Sequence, residues 1–162
     1  MRTINIYGEN RNATYSKVRE ACRGIVLRDG KILMTYAREV DFWMIPGGGR
    51  EGDETLQDCC IRELEEETGY TVKLTEPYIA IQEYYSHWLY SSYYFVCRIT
   101  GQKMRHLTEE EDRAGMESRW IPLREAVAIF AAHQDHQNEE IKRGAYLRDY
   151  CALKALADEE QL

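Results

Sequence analysis

No stretch of the chain stays apolar long enough to span a bilayer, so no membrane association is expected. The opening residues, MRTINIYGENRN, lack the apolar core of a secretion signal, and a cytoplasmic location is the expectation. Basic residues are also scarce: 21 Lys and Arg stand against 28 Asp and Glu, for a net charge of −7. A surface of that sign repels phosphate backbones, which argues against nucleic-acid polymers as partners. It leaves room for a small phosphorylated ligand, because metal ions supply positive charge locally. The five cysteines, Cys22, Cys59, Cys60, Cys97 and Cys151, show no C-x-x-C spacing. They read as reduced thiols and not as a disulfide framework or a zinc site. Internal repeats, linkers and breaks in composition are missing as well. At 162 residues, residues 1–162 read as one domain with a sizeable core.

What is present concentrates between Gly48 and Tyr70, GGREGDETLQDCCIRELEEETGY. A glycine turn leads into an acidic helix start, Asp53-Glu54-Thr55, and then a helix that Gly69 stops. At about 100° per residue, Glu63, Glu66 and Glu67 share one face, while Cys60, Ile61, Leu64 and Thr68 point to the core. Carboxylates so spaced repel one another unless something positive lies between them. A hard divalent cation with oxygen ligands, Mg²⁺ above all, answers that need. Beside a glycine loop whose backbone can approach a ligand closely, such a cation points to chemistry on phosphates.

The same residues resemble the Nudix box, G, five residues, E, seven residues, then R-E-U-x-E-E-x-G-U with U a bulky apolar residue. Gly48, Glu54, Arg62, Glu63, Glu66, Glu67 and Gly69 all stand at the fixed positions. A chance match anywhere in the chain is on the order of 10⁻⁷ at average residue usage, so the spacing is not coincidence. The departure is Tyr70, where the family usually carries an aliphatic residue, a matter of packing and not of chemistry. The approach Trp43-Met44-Ile45-Pro46-Gly47-Gly48-Gly49 is similar to the family's as well.

The resemblance implies an α/β/α sandwich around a mixed central sheet, with the box as a loop-helix-loop. It implies that Glu63, Glu66 and Glu67, helped by a carbonyl near Gly47, bind Mg²⁺ or Mn²⁺, and that Glu54 pairs with Arg62 to hold the loop on the helix. The general base is left open between Glu63 and a later carboxylate, Glu110 or Glu111, in the acidic run before Trp120. A solvated acidic loop explains that run equally well. Arg38 and Arg50, read as flanking the glycine loop, are candidates to grip phosphate through forked hydrogen bonds, or are ordinary surface charges. Tyr85 and Trp88 are the aromatic residues expected to stack on a nucleobase. The expected activity is metal-dependent hydrolysis of a nucleoside diphosphate linked to another group. A ligand-binding regulator on the same fold is the alternative, which the fully acidic box disfavours.

Outside the box, Arg2 to Gly8 reads as a strand and Glu9 to Lys17 as a loop. Ala21–Leu27 and Ile32–Met34 read as a hairpin about Asp29-Gly30. Two long strands are expected over Tyr70–Tyr85 and Leu89–Thr100, separated by Ser86-His87-Trp88. Gly101–Ser118 reads as polar loop, Arg119–Ile121 as a short strand, and Pro122 as the start of a helix to about Ala132. A last helix is expected from about Asn138 to Ala157, with Ile141, Ala145, Leu153 and Leu156 on its apolar side. The long strands and unassigned N-terminus suit a homodimer.

Overall fold

Alternation along strand β2 (Lys17–Arg28) divides the interior in two: Ile25 faces one side of the sheet, Cys22 and Val26 the other. In the computed structural model the described residues are 1–160, and positions 161–162 of the expected domain lie outside them. β2 pairs in parallel with β8 (Trp88–Gln102) and antiparallel with β3 (Lys31–Ala37). β7 (Ile79–Tyr85) lies antiparallel beside β8, and β1 (Arg2–Tyr7) runs parallel along β7. The order is β1-β7-β8-β2-β3-β4, with β4 at Phe42–Met44. Three further strands attach at the sides: the short β5 (Gly47–Gly49) on β2 and β6 (Tyr70–Lys73) on β8, and the longer β9 (Met116–Pro122) along β3.

Helices cover both faces of this mixed sheet. α1 (Leu56–Thr68) buries Cys59, Cys60 and Leu64 against Cys22, Val26, Leu33 and Phe95. A short α2 (Glu109–Arg113) lies in the loop before β9. On the opposite face α3 (Leu123–Ala131) and α4 (Glu140–Glu160) bury Phe130, Tyr146, Ala152 and Leu153 against Ile25, Ile32 and Met34. The layers are therefore α/β/α, as expected. Among the described residues no helix is long and apolar enough to cross a membrane.

The Asp29-Gly30 hairpin forms as its sequence dictates, both residues at positive φ (53° and 73°). Elsewhere boundaries move. The expected Tyr70–Tyr85 strand breaks at 74–78, where Pro77 has no N–H to give a ladder. Trp88 belongs to β8 and pairs with Tyr85, because the turn needs only Ser86 and His87, with Ser86 at φ 51°. The polar Gly101–Ser118 stretch contains α2, whose Thr108-x-x-Glu111 capping box was legible in the sequence. β9 starts at Met116, earlier than the expected Arg119. Ile141, expected on the apolar side of the last helix, is 84% exposed. Leu153 and Leu156 are buried as expected, and the buried stripe continues through Lys142, Tyr146, Asp149 and Ala152, one position round the helix from Ile141.

Candidate active site

α1 begins where the Thr55 side chain accepts the Asp58 N–H at 3.0 Å, and ends at Gly69 with φ 77°. Both ends being fixed, its side chains are aimed at the β5 loop. Arg62 sits at the centre of that contact. Its guanidinium forks onto Glu54 (Nη2 at 2.7 Å, Nε at 3.1 Å) and donates to the Gly49 carbonyl at 3.0 Å. Its remaining nitrogen, Nη1, reaches Glu63 at 2.8 Å and Glu66 at 3.2 Å. The hydrogen bond from Arg62 holds the Glu54 carboxyl down at about 2. The same contact, with Glu63 adding to it, raises Arg62.

The facing carboxylates are under opposite pressure. Burial raises Glu63, against the pull of Arg62, while the charges of Glu66 and Glu111 push the same way. Glu67, only 4% exposed, is raised well above the usual carboxylate range by burial, with the neighbouring Glu63 charge adding to it. Its Oε2 accepts the Gly47 N–H at 3.0 Å. These three glutamates and Gly47 line one cleft of about 650 Å³, together with Glu110 and Glu111. Buried, mutually repelling carboxylates beside glycine backbone are a donor set suited to a hard divalent cation. Among the described residues no three acidic, His or Cys side chains are already gathered around a metal position, and Arg62 Nη1 is what bridges Glu63 and Glu66.

The cleft opens into a second cavity of about 800 Å³ between the sheet and α4. Arg19, Arg23, Phe42, Met44 and Glu110 line both. One end is thus acidic and glycine-lined, the other carries aromatic walls from Tyr85 and Tyr90.

Of the residues singled out in the sequence, Glu54, Arg62, Glu63, Glu66 and Glu67 are brought together as described. Glu111 lines the cleft, but its Oε1 accepts the Thr108 N–H at 2.8 Å in the α2 cap, whereas Glu110 faces both cavities. Arg50 lines the cleft with its guanidinium engaged by Glu20 and the Glu54 carbonyl, each at 2.7 Å. Tyr85 lines the second cavity. The structure does not bring Arg38 or Trp88 to either. Arg38 lies exposed in a 3-10 turn beside Glu39, because the chain leaves β3 there and turns before β4. Trp88 shares a row with Tyr85 but stacks on Tyr90 at 5.4 Å under Lys17, off the cavity lining. Tyr70 packs edge-on against Trp120 in the α1-side core. Sequence reasoning missed Arg19, Arg23, Glu83 and Arg148. Alternate arginines on one face of β2, and a glutamate in register with Ile79 and Ile81 on β7, were the available signals.

Against known proteins, the NUDIX domain family model matches residues 18–143. The chain is similar to a putative nudix hydrolase 1 of Caenorhabditis elegans, 31% identical over 53% of this chain but only 22% of that protein's length. It is also similar to the mouse diphosphoinositol polyphosphate phosphohydrolase 3-alpha, 26% identical over 71% of this chain and 68% of that one. Among solved structures, the Escherichia coli ORF135 protein superposes with a TM-score of 0.56 at 25% identity, covering 69% of this chain and 79% of that one.

Proposed function

The chain belongs to the NUDIX family, and on that premise we propose that it is a metal-dependent hydrolase of the phosphoanhydride bond in a nucleoside diphosphate linked to another group. The observation that supports this best is the continuity of the two cavities. Carboxylates for a cation and glycine backbone for a diphosphate lead directly into an aromatic-walled space for a nucleoside.

Glu63, Glu66, Glu67 and the Gly47 carbonyl would hold Mg²⁺ or Mn²⁺, which when bound neutralises diphosphate charge and lowers the pKa of the attacking water. Glu54 keeps Arg62 in place, and Arg62 ties the Gly49 carbonyl and Glu63 to one frame, so the loop and helix present a fixed geometry. Glu63 is the base we favour for the water proton, since it lines the cleft beside the carboxylates that would hold the cation. Glu110, free of the α2 cap, is the later carboxylate best placed to assist. Arg19 would face the phosphates, with Arg50 at the rim. Tyr85 bounds the nucleoside. We take the whole chain as one catalytic unit working in the cytoplasm.

The test is product analysis of a panel with Mg²⁺ and with Mn²⁺: nucleoside triphosphates, sugar nucleotides, ADP-ribose, dinucleoside polyphosphates and a diphosphoinositol polyphosphate. Glu66→Gln runs in parallel. Metal-dependent cleavage lost in the variant supports the reading. Binding without turnover, unaltered by Glu66→Gln, would move the chain to a ligand-binding module on the same fold.

A further inference from the structure

The inner end of the second cavity holds a polar group that the hydrolytic chemistry does not use. Strand register places Glu83, Tyr90 and Arg19 in one row across β7, β8 and β2. The next rows on the same face are Ile81, Ser92 and Ala21, then Ile79, Tyr94 and Arg23. Small side chains at Ala21 and Ser92 lower the floor, and Gly144 and Ala145 on α4 raise the roof, so space remains between them. Arg148 descends from α4 beside Glu83.

These groups are short of partners. Glu83 is 5% exposed, and its carboxylate has Arg148 Nη1 no nearer than 4.0 Å, beyond hydrogen-bond reach. Arg148 spends its Nε on Tyr94 and Asp149, both at 3.0 Å, while its Nη2 has no partner. Arg23 donates through Nη1 to the Ile45 carbonyl at 2.9 Å, and its buried Nε has none. Buried polar groups are nearly always satisfied, so a cavity-lining carboxylate with no hydrogen bond of its own, beside the Arg148 guanidinium at 4.0 Å, calls for a ligand edge. Along the cavity lining Arg19, Arg23 and Arg148 stand against Glu83, Glu110 and Glu140, a balance of charge that favours a neutral edge over a further phosphate or a cation. Phe42, Tyr85 and Tyr90 on the walls favour a planar ring.

Building on the hydrolase reading, we propose that Glu83, with Arg148 and Arg23, selects the guanine base of a nucleotide substrate. A carboxylate fork needs two neighbouring N–H donors, and among the bases guanine alone offers N1–H beside a 2-amino group. Its O6 and N7 accept from the guanidiniums.

The experiment is calorimetric binding of guanosine, inosine and adenosine 5′-monophosphates to the full chain and to Glu83→Gln. None of these ligands has an anhydride bond, so the outcome does not depend on turnover. Guanosine monophosphate should bind roughly 10-fold or more tighter than inosine monophosphate, which lacks only the 2-amino group, and adenosine monophosphate should be weaker again. Glu83→Gln should bring the first two toward parity. Equal affinities in the wild type, adenosine in first place, or no binding of any of the three would overturn the assignment, as would an unchanged ranking in Glu83→Gln. Should that variant not fold, the wild-type ranking decides alone. Hydrolysis without a guanine preference removes this inference and leaves the proposed reaction standing; a guanine preference without hydrolysis does the reverse.

Discussion

The carboxylate of Glu67 accepts the backbone N–H of Gly47 at 3.0 Å, joining the last turn of α1 to the loop that precedes it. That single bond does not offset the burial of a charge next to Glu63, and the Glu67 carboxyl is raised in consequence. Glu67→Gln keeps an oxygen for the Gly47 N–H and removes the charge. Thermal unfolding of the metal-free chain at neutral pH should show the variant more stable, by roughly 2–4 °C per kcal/mol gained, while hydrolysis falls by two orders of magnitude or more. A lower melting temperature for the variant would count against a charged, strained Glu67.

Adjacent glycines should behave differently. A Cβ at Gly48 would fall 2.5 Å from Glu63 Oε2, the mobile end of a side chain, so Gly48→Ala should fold normally and displace the carboxylate. A Cβ at Gly47 would fall 2.0 Å from the Cys22 carbonyl oxygen, which is backbone and cannot yield. Chemical denaturation should find Gly48→Ala within about 1 kcal/mol of wild type and Gly47→Ala destabilised by about 2–4 kcal/mol. Activity should be lost in both. Equal stability of the two variants would contradict the geometry.

Acid should loosen the loop from the helix. Glu54 sits at about 2 in the folded chain, below its unfolded value near 4.3, so its stabilisation is fully present above the latter and disappears as pH falls toward the former. Urea titrations from pH 7 down to pH 2 should show wild type losing its advantage over Glu54→Gln across that window. The difference should be on the order of 1–2 kcal/mol after solvent screening. A gap independent of pH would assign the effect to packing.

Gly144 lies inside α4, and a Cβ there would meet only the Tyr85 hydroxyl, at 3.5 Å. Gly144→Ala should therefore stabilise the chain by up to about 1 kcal/mol with little effect on turnover. Gly144→Leu, larger than the available gap, should fill the cavity and raise KM for nucleoside substrates about 10-fold or more. Unchanged KM in the leucine variant would place the nucleoside elsewhere.

Arg38 and Arg19 separate a surface charge from a working one. Arg38 is outside both cavities and Arg19 lines both. Steady-state kinetics should leave Arg38→Ala within about 2-fold of wild type and lower kcat/KM for Arg19→Ala by roughly 10- to 100-fold. The reverse order would mean that the phosphates lie on the Arg38 side of the loop.

The parts that depend on short spacing are readable from the chain alone. Gly48, Glu54, Arg62, Glu63, Glu66 and Glu67 lie within a few turns of one another, so helical periodicity and a glycine turn were enough to place them on one face. The Asp29-Gly30 hairpin was legible for the same reason, being set by the backbone of its own residues. Tertiary structure decided whatever depended on docking and register. Glu83 meets Arg148 because β7 lies beside β8 and α4 crosses above it, contacts between residues 65 positions apart that no local pattern encodes. Ile141 is exposed, and Trp88 stays off the cavity that its neighbours Tyr85 and Tyr90 line, because only the packing of α4 and the turn at Ser86-His87 fix where each element sits. Local chemistry wrote the clustered carboxylates into the chain, while the cavity beside them exists only once the sheet and the last helix have closed over small residues.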